Sequence, residues 1–336
     1  MRIPHRRQLA PLALVAVGGG LLTVAPAVPT AQAATRTVRV STSAQLTSAL
    51  ASARAGTTIR LADGRYTGRF TATRSGTTTA PIRLTGSRRA VLDGGGVTSG
   101  YALHLDHASH WQVDGITVTN AKKGIVLDQS SHVLLTNLAV HHAGNELVLM
   151  RNYSSDNTIS ASEIYDSGLT APGYGEGVYV GLAVSNWSST SQSRTGGGPD
   201  RSDRNRIIGN HIYATTAENV DIKEGTTGGL ISGNRFDATG MTGANYADSW
   251  VDIAGNAYVV ADNVGVNPAS RLLDGYQTHV QVTGWGQRNV FERNASAVHA
   301  AGYGINVNTR GAGNVVRSSN TVTAAARGLT NIAVTR

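Results

Sequence analysis

The chain has 336 residues, a formal net charge of +8 and no cysteine. Without cysteine there is no disulfide framework, so a continuous core and its hydrogen bonds must stabilise the fold. The basic residues are scattered among Gly, Ser, Thr and Asn and do not cluster with aromatic residues on one face. This distribution argues against a nucleic-acid partner and is compatible with an acidic polysaccharide.

The first 34 residues have the pattern of an export signal. Three arginines precede an apolar stretch at 9–24, and Ala31-Gln32-Ala33 fits a cleavage site. No later apolar span is long enough to cross a membrane. We therefore predict a signal peptide at 1–34 and a secreted, extracellular protein without membrane contact, whose residues 35–336 form a single domain.

Residues 35–100 are predicted to form an N-terminal cap and the first coils of a repeat. Residues 36–40 alternate like a short strand, and 42–54 have the pattern of an amphipathic helix in which Thr42 and Gln45 make a capping box. Short strands separated by glycines follow at Ile59–Leu61, Ile82–Leu84 and Ala90–Leu92. A helix before such strands is typical of the cap that closes one end of a solenoid.

From residue 101 onward, one motif recurs: an apolar-x-apolar triplet, a turn rich in Gly, Asn or Ser, and an Asn-x-Val/Ile strand. The triplets begin at Leu103, Ile125, Val148, Val178, Val220, Val251, Val280 and Ile305. Such a repeat of β-branched residues indicates an all-β, right-handed parallel β-helix solenoid with a short N-terminal capping helix. We expect ladders at its turns from Asn210, Asn234, Asn256, Asn263 and Asn294.

Within each triplet, the two apolar residues point inward and the residues beside them point outward. The outward positions of four adjacent rungs hold polar and aromatic residues, which suits a sugar-binding groove. Loop insertions at 184–204 and 239–248 are predicted to add its walls. The expected substrate-binding residues are Tyr179, Asn219, Trp250, Gln281 and Arg151.

Asp221 and Asp252 occupy the same outward position on neighbouring rungs, so their carboxylates should approach to about 5 Å. A divalent cation, a shared proton or the nearby Lys223 would relieve the repulsion between them. A simple pairing of Asp221 with Lys223 on a solvated sheet remains open as the alternative.

The pattern of residues 37–96 and the coils together resemble the pectate-lyase-like β-helix superfamily. The segment 218–223, Glu-Asn-Val-Asp-Ile-Lys, resembles the stretch that carries a calcium-binding glutamate and a catalytic lysine in family 6 polysaccharide lyases, the alginate lyase and chondroitinase B group. The resemblance implies that Glu218 is a calcium ligand. It implies that Lys223 is the base that removes the proton alpha to a uronate carboxylate.

This chain departs from that family pattern at two positions. Thr216 stands where the family has a further acidic ligand, and the coil at 250–254 lacks the expected arginine. Asp221 and Asp252 are the candidates to complete the calcium site. His279 is the candidate second catalytic group, either as a substitute base or as the acid that protonates the leaving group.

The sequence and this resemblance together predict a secreted, monomeric polysaccharide lyase that cleaves an acidic, uronate-containing polysaccharide by metal-assisted β-elimination, with calcium as the expected metal. Three alternatives stay open. The first is a glycoside hydrolase that uses Asp221 and Asp252 as its two carboxylates. The others are a uronate epimerase, which shares the first proton abstraction, and a β-helix that binds carbohydrate without catalysis.

Overall fold

The computed structural model describes residues 36–268 and 271–336, so the predicted signal peptide at 1–34 lies outside the described residues. The described strands form three parallel sheets and are numbered β1 to β31 in chain order.

Sheet 1 has twelve strands, in the spatial order β1 (Arg36–Val40), β2 (Thr57–Leu61), β5 (Ile82–Thr85), β8 (Trp111–Asp114), β11 (Leu134–Thr136), β14 (Thr158–Ser160), β17 (Arg206–Ile208), β20 (Leu230–Ser232), β23 (Val259–Ala261), β26 (Val290–Glu292), β29 (Val315–Arg317) and β31 (Val334–Thr335). Sheet 2 has nine, in the order β4 (Phe70–Ala72), β7 (Tyr101–Asp106), β10 (Lys123–Asp128), β13 (Val148–Arg151), β16 (Val178–Val180), β19 (Val220–Ile222), β22 (Val251–Ile253), β25 (Tyr276–Thr278) and β28 (Ile305–Asn306). Sheet 3 has ten, in the order β3 (Gly64–Thr67), β6 (Ala90–Asp93), β9 (Thr117–Ala121), β12 (Ala139–Ala143), β15 (Glu163–Tyr165), β18 (His211–Tyr213), β21 (Arg235–Asp237), β24 (Val264–Val266), β27 (Ala295–Ala300) and β30 (Thr321–Ala325).

From β2 to β30 the chain visits sheets 1, 3 and 2 in turn, so each circuit of three strands is one coil. Each strand pairs in parallel with its counterparts in the neighbouring coils. This arrangement confirms the predicted right-handed parallel β-helix. Inward-facing aliphatic and aromatic side chains from all three sheets fill one continuous core along the described coils.

The helix α1 (Ser43–Ser52) packs against the first strands and confirms the predicted capping helix. Thr42 is its N-cap, and the Thr42 hydroxyl accepts a hydrogen bond from the Gln45 backbone N–H at 3.2 Å. Leu46 and Leu50 of this helix are fully buried. The helix therefore begins where the capping box predicts and covers the core with its apolar face.

An asparagine ladder runs along one corner of the coils. The side-chain amide of Asn234 donates to the Asn263 side-chain oxygen at 3.0 Å, and Asn263 donates to Asn294 at 2.9 Å. The same contacts continue to Asn210 at one end and to Asn320 at the other. These buried amides satisfy backbone groups at the corner, which confirms their structural role.

The register of sheet 2 corrects the predicted repeat at one coil. Tyr276 aligns with Val251 before it and with Ile305 after it, so the strand is Tyr276–Thr278 and the triplet expected at Val280 is wrong. Tyr276 is fully buried, and its ring packs edge-on against the Trp250 indole with centroids 5.8 Å apart. An aromatic residue fills the inward position in this coil, whereas the prediction looked for an aliphatic one.

Among the described residues, no helix combines the length and the apolar character that a membrane crossing requires.

Candidate active site

A groove of about 850 Å³ lies over the outer face of sheet 2. Leu149, Tyr179 and Lys223 line its floor on three successive coils. The insertion at 184–204 contributes wall residues, and the insertion at 239–248 contributes Asn245. The groove extends over β7 to β19, toward the N-terminal coils rather than toward the C-terminal ones.

The floor carries a column of outward-facing side chains whose register is fixed by the parallel strands. Leu149 pairs with Tyr179, Tyr179 with Asp221, and Asp221 with Asp252. The apolar members, Leu149 and Tyr179, pack together with Val126 outside the main core. The column therefore passes from an apolar strip that suits the C–H face of a sugar to a polar segment that suits hydroxyl or carboxyl groups.

Gln281, which the sequence placed in this column, does not belong to it. Gln277 pairs with Asp252 instead, and Gln281 is exposed in the turn after the strand. The error follows directly from the register of Tyr276–Thr278. Gln277 Nε2 donates to Asp248 Oδ1 at 2.7 Å and to Asp274 Oδ2 at 3.1 Å, so its amide is already engaged.

Trp250 and Asn219 were predicted to face the groove, and both predictions are wrong. Trp250 is fully buried, and its indole N–H donates to the Val266 carbonyl at 3.1 Å. Asn219 is also fully buried, and its amide donates to the Thr215 hydroxyl at 2.9 Å. Each residue occupies a bend just before its strand, where the alternation of a strand does not apply.

Lys223, Asp221 and Tyr179 form a compact cluster on the floor. Lys223 Nζ lies 2.5 Å from Asp221 Oδ2 and 5.2 Å from the centre of the Tyr179 ring. Burial alone would lower the pKa of Lys223, but the adjacent Asp221 carboxylate raises it well above its usual value. Burial raises the pKa of the Tyr179 phenol, and the Lys223 ammonium opposes that rise. The lysine is therefore an ammonium beside a neutral phenol.

His279 and Asp252 form a second pair, two coils beyond Lys223. His279 Nε2 lies 2.9 Å from Asp252 Oδ2, and the Ser249 hydroxyl donates to Asp252 Oδ1 at 2.5 Å. His279 follows the strand Tyr276–Thr278 and occupies the position of Lys223, with Ala254 on the coil between them. Burial lowers the pKa of His279, but the Asp252 carboxylate outweighs it, and the net shift is upward.

Three buried carboxylates, from Glu176, Glu218 and Asp221, meet beside this cluster. One oxygen of each lies within 4.8 Å of the others. Burial and the neighbouring carboxylates raise the pKa values of Glu176 and Glu218 well above their usual range. Oxygen ligands of this kind are what Ca²⁺ takes in proteins, so the donor set fits the ion that the sequence predicts.

The composition of this acidic cluster differs from the predicted metal site. Glu218 and Asp221 belong to it as expected, but Asp252 faces His279 and Ser249, and Glu176 takes its place. Glu176 lies two residues before its triplet, as Glu146 and Glu218 do in their coils. The repeated Glu-x-Val spacing was the signal in the sequence that would have identified it.

Cationic side chains line the groove on the N-terminal side of this cluster, next to β10 and β13. Lys123 Nζ lies 2.8 Å from Glu146 Oε1, and Lys122 lines the groove beside it. Arg151 also lines the groove, although it is only 5% exposed. Its Nε donates to Asp128 Oδ1 at 2.9 Å and its Nη2 to the Tyr101 hydroxyl at 3.1 Å. These contacts fix the direction of the Arg151 guanidinium. Its positive charge therefore lies in the groove, where the sequence predicted a substrate-binding residue.

The comparisons with known proteins agree on a β-helix. Residues 24–178 match a family model described as Pel9A-like, right handed beta helix region. The chain is similar to the crystal structure of an alginate lyase from Paenibacillus sp. str. FPU-7, with 38% sequence identity and a TM-score of 0.82 over 89% of this chain and 99% of that one. No curated protein matches the chain.

Two more distant structures share the fold. Pectate lyase Pel9A is 17% identical with a TM-score of 0.60, covering 87% of this chain and 80% of its own. A PL6 family alginate lyase is 17% identical with a TM-score of 0.58, covering 88% of this chain and 40% of its own.

Proposed function

Because the chain belongs to the same family as the alginate lyase from Paenibacillus sp. str. FPU-7, we propose that it is a polysaccharide lyase that cleaves a uronate-containing polymer by β-elimination. The observation that carries this proposal is the Lys223, Asp221 and Tyr179 cluster on the floor of a groove lined by cations. A polymer with one carboxylate on each sugar fits such a groove.

β-Elimination removes the proton alpha to the uronate carboxyl group and expels the glycosidic oxygen from the neighbouring carbon. The reaction needs a positive charge at the carboxylate, a base for the proton, and an acid for the leaving oxygen. We assign Lys223 as the base. Burial keeps the Tyr179 phenol neutral, and its ring centre lies 5.2 Å from Lys223 Nζ, so we assign it as the acid.

With Lys223 as the base and Tyr179 as the acid, His279 no longer has the catalytic role that the sequence predicted. His279 lies two coils from Lys223, at about 10 Å, and its imidazole contacts Asp252. Against the effect of burial, the Asp252 carboxylate raises the pKa of His279, which favours the imidazolium form. We therefore propose that His279 binds a carboxylate farther along the polymer, and that Arg151 does so on the other side of the cluster.

We further propose that Glu176, Glu218 and Asp221 hold a calcium ion when the enzyme is active. Bound there, calcium would offset part of the negative charge of these carboxylates and of the uronate carboxyl group and would lower the pKa of Lys223 toward that of a base. Lys223 needs this change because, beside an unneutralised Asp221, it keeps its proton.

To test this proposal, the protein is incubated with alginate and with other uronate polymers, once with calcium and once with a chelator. The unsaturated product is measured by its ultraviolet absorbance. We expect this absorbance to increase, by an amount that depends on which polymer is supplied. New reducing ends without absorbance would show hydrolysis instead. Inverted sugar configuration without cleavage, seen by NMR, would show epimerisation, and binding without either reaction would show a carbohydrate-binding protein.

The proposal includes export by residues 1–34 and action as a monomer outside the cell. Expression of the full chain in a bacterial host tests both points. The mature N-terminus of the protein in the medium should lie just after residue 34, and its mass by light scattering should be that of one chain. A protein retained in the cell with an intact N-terminus would contradict export.

A further inference from the structure

Two tyrosines stand at the rim of the groove with most of their surface exposed. Tyr174 is 57% exposed and lines the groove, and Tyr246 is 86% exposed. Each is the last residue of a 3₁₀ turn, Pro172–Tyr174 in one loop and Ala244–Tyr246 in the other. Asn245, the neighbour of Tyr246, also lines the groove. Tyr174 therefore lies at the edge of the groove, and Tyr246 lies next to a residue that lines it.

The two loops are joined to each other. Asn245 Nδ2 donates to the Gly173 carbonyl at 3.0 Å. A Cβ added at Gly173 would lie 2.9 Å from the Asn245 Cβ, so the backbones are in close contact and only glycine fits there. The rim is therefore one unit built from two loops rather than two separate loops.

Thr216 anchors this unit to the coil that carries the acidic cluster. Its hydroxyl donates to the Pro172 carbonyl at 2.8 Å, and its own carbonyl accepts from the Thr242 N–H at 3.0 Å. Glu218 lies two residues farther along the same segment. The position of the tyrosines is consequently fixed relative to the floor of the groove.

The backbone at Tyr246 is strained without a gain in packing. Its φ is 65°, and that of Asn245 is 56°, both in the left-handed region that side chains beyond glycine rarely adopt. The Tyr246 ring nevertheless stays in solvent. Strained backbone conformations cluster at functional sites, so an exposed side chain on a strained backbone beside a cleft points to a binding role.

We propose that Tyr174 and Tyr246 form an aromatic subsite that binds a sugar of the polymer beyond the residues held on the floor. This inference rests on the proposed function, because its occupant is the same uronate polymer. The C–H face of a pyranose packs on an aromatic ring without needing a charge, so the subsite complements the cations inside the groove. It makes the enzyme prefer long chains over short oligosaccharides.

The experiment compares kcat/KM on polymeric alginate with kcat/KM on a trisaccharide of the same uronates, for the wild type, Tyr174→Ala, Tyr246→Ala and the double variant. We expect kcat/KM on the polymer to fall by roughly tenfold in the double variant, which is the effect of losing one good aromatic contact. Activity on the trisaccharide should stay within about twofold, because the proposed subsite binds a sugar beyond those held on the floor.

Two further variants separate binding from folding. Tyr246→Trp keeps an aromatic face and should keep the preference for polymer. Tyr213→Ala removes a tyrosine of sheet 3 that stacks on Tyr165 at 4.9 Å, away from the groove, and should leave the ratio of the two kcat/KM values unchanged. An equal loss on polymer and trisaccharide in the double variant, or no loss on either, would overturn the subsite.

A failure of the proposed function gives a different result. If the wild type forms no unsaturated product from any uronate polymer, lyase activity is refuted, and the subsite is then tested by retardation of the protein in gels that contain alginate. Weaker retardation of the double variant than of Tyr213→Ala supports the subsite. Equal retardation of the two refutes it.

Discussion

The Nζ of Lys223 lies 5.2 Å from the centre of the Tyr179 ring, on adjacent coils of the same sheet. The parallel register holds this distance, because Tyr179 pairs with Asp221 and Lys223 lies two residues beyond it on the same face. An amine and a phenol so placed can take and give a proton on one sugar ring.

Two replacements of Lys223 distinguish a general base from a positive charge that only neutralises a carboxylate. Lys223→Ala should lower kcat by about 100-fold or more, the usual contribution of a general base. Lys223→Arg keeps the positive charge but cannot lose its proton near neutral pH, so it should be almost as inactive. Initial rates on alginate measure both. An arginine variant with most of the wild-type rate would show that Lys223 only neutralises a carboxylate.

Calcium should stabilise the folded protein through the acidic cluster. At a concentration one hundred times its Kd, a ligand that binds only the folded state adds about 2.7 kcal/mol to the free energy of unfolding. The melting temperature of the wild type should therefore rise with calcium, and that of Glu176→Gln should not. In chelator, Glu176→Gln should be the more stable of the two, because it removes one of three crowded carboxylates.

The control for the calcium prediction is Glu163→Gln, which changes an exposed carboxylate on sheet 3. This variant should respond to calcium as the wild type does. A calcium-dependent rise in melting temperature that persists in Glu176→Gln would place the ion elsewhere.

Asp248 should make stability fall as pH rises through mildly acidic values. Burial and the Asp252 charge raise the pKa of Asp248 from 3.8 to about 6. Between these values the folded state binds more protons than the unfolded state, so the free energy of unfolding decreases with increasing pH. Asp248→Asn removes the contribution of Asp248 to this dependence, while Glu176 and Glu218, whose pKa values are also raised, keep theirs. Urea denaturation at several pH values from 4 to 7, a range of about three units, measures the difference between the variant and the wild type.

Asp262 provides a control of opposite sign. Its contact with Arg293 lowers the pKa of the carboxyl group, so its contribution is present above the unfolded pKa and is lost as pH falls. Asp262→Asn should leave the slope between pH 4 and about 6 as it is in the wild type. The same slope in Asp248→Asn and the wild type would contradict the assignment to Asp248.

The asparagine ladder should carry measurable stability. Asn263→Ala removes the oxygen that accepts from the Asn234 backbone N–H and the amide that donates to the Ile231 carbonyl at 2.9 Å. Each buried group left without a partner costs about 1–3 kcal/mol. Equilibrium denaturation should show a loss of at least that size, with kcat unchanged for the folded protein. A loss below about 0.5 kcal/mol, as for surface substitutions, would show that water replaces the ladder.

The coils could be predicted because every coil of a β-helix has the same physical requirement, a buried apolar interior. Every strand must place apolar side chains inward, so the triplets at Val148, Val178 and Val220 marked their strands correctly. The pattern failed at Tyr276, whose inward ring fills a wide part of the core next to Trp250. Val280 offered a more typical triplet four residues later. A local pattern therefore chose the wrong register where an aromatic residue replaced an aliphatic one.

The site was predicted less completely than the fold. Asp221 and Lys223 lie on or directly after a strand, where alternation determines the direction of a side chain. Asn219 and Trp250 lie in bends before their strands, and Glu176 lies in the irregular segment before its strand, where the direction of a side chain depends on the corner and not on alternation. Two of these were therefore assigned to the surface although they are buried, and the third was missed.

The floor and the rim of the groove have different origins in the chain. Strand register fixes the floor, whereas the insertions at 184–204 and 239–248 leave and rejoin the coils at turns. Lengthening or shortening an insertion therefore does not displace the strands on either side of it. We expect that these loops can be exchanged between related proteins, so that preference for chain length evolves separately from the cleavage chemistry.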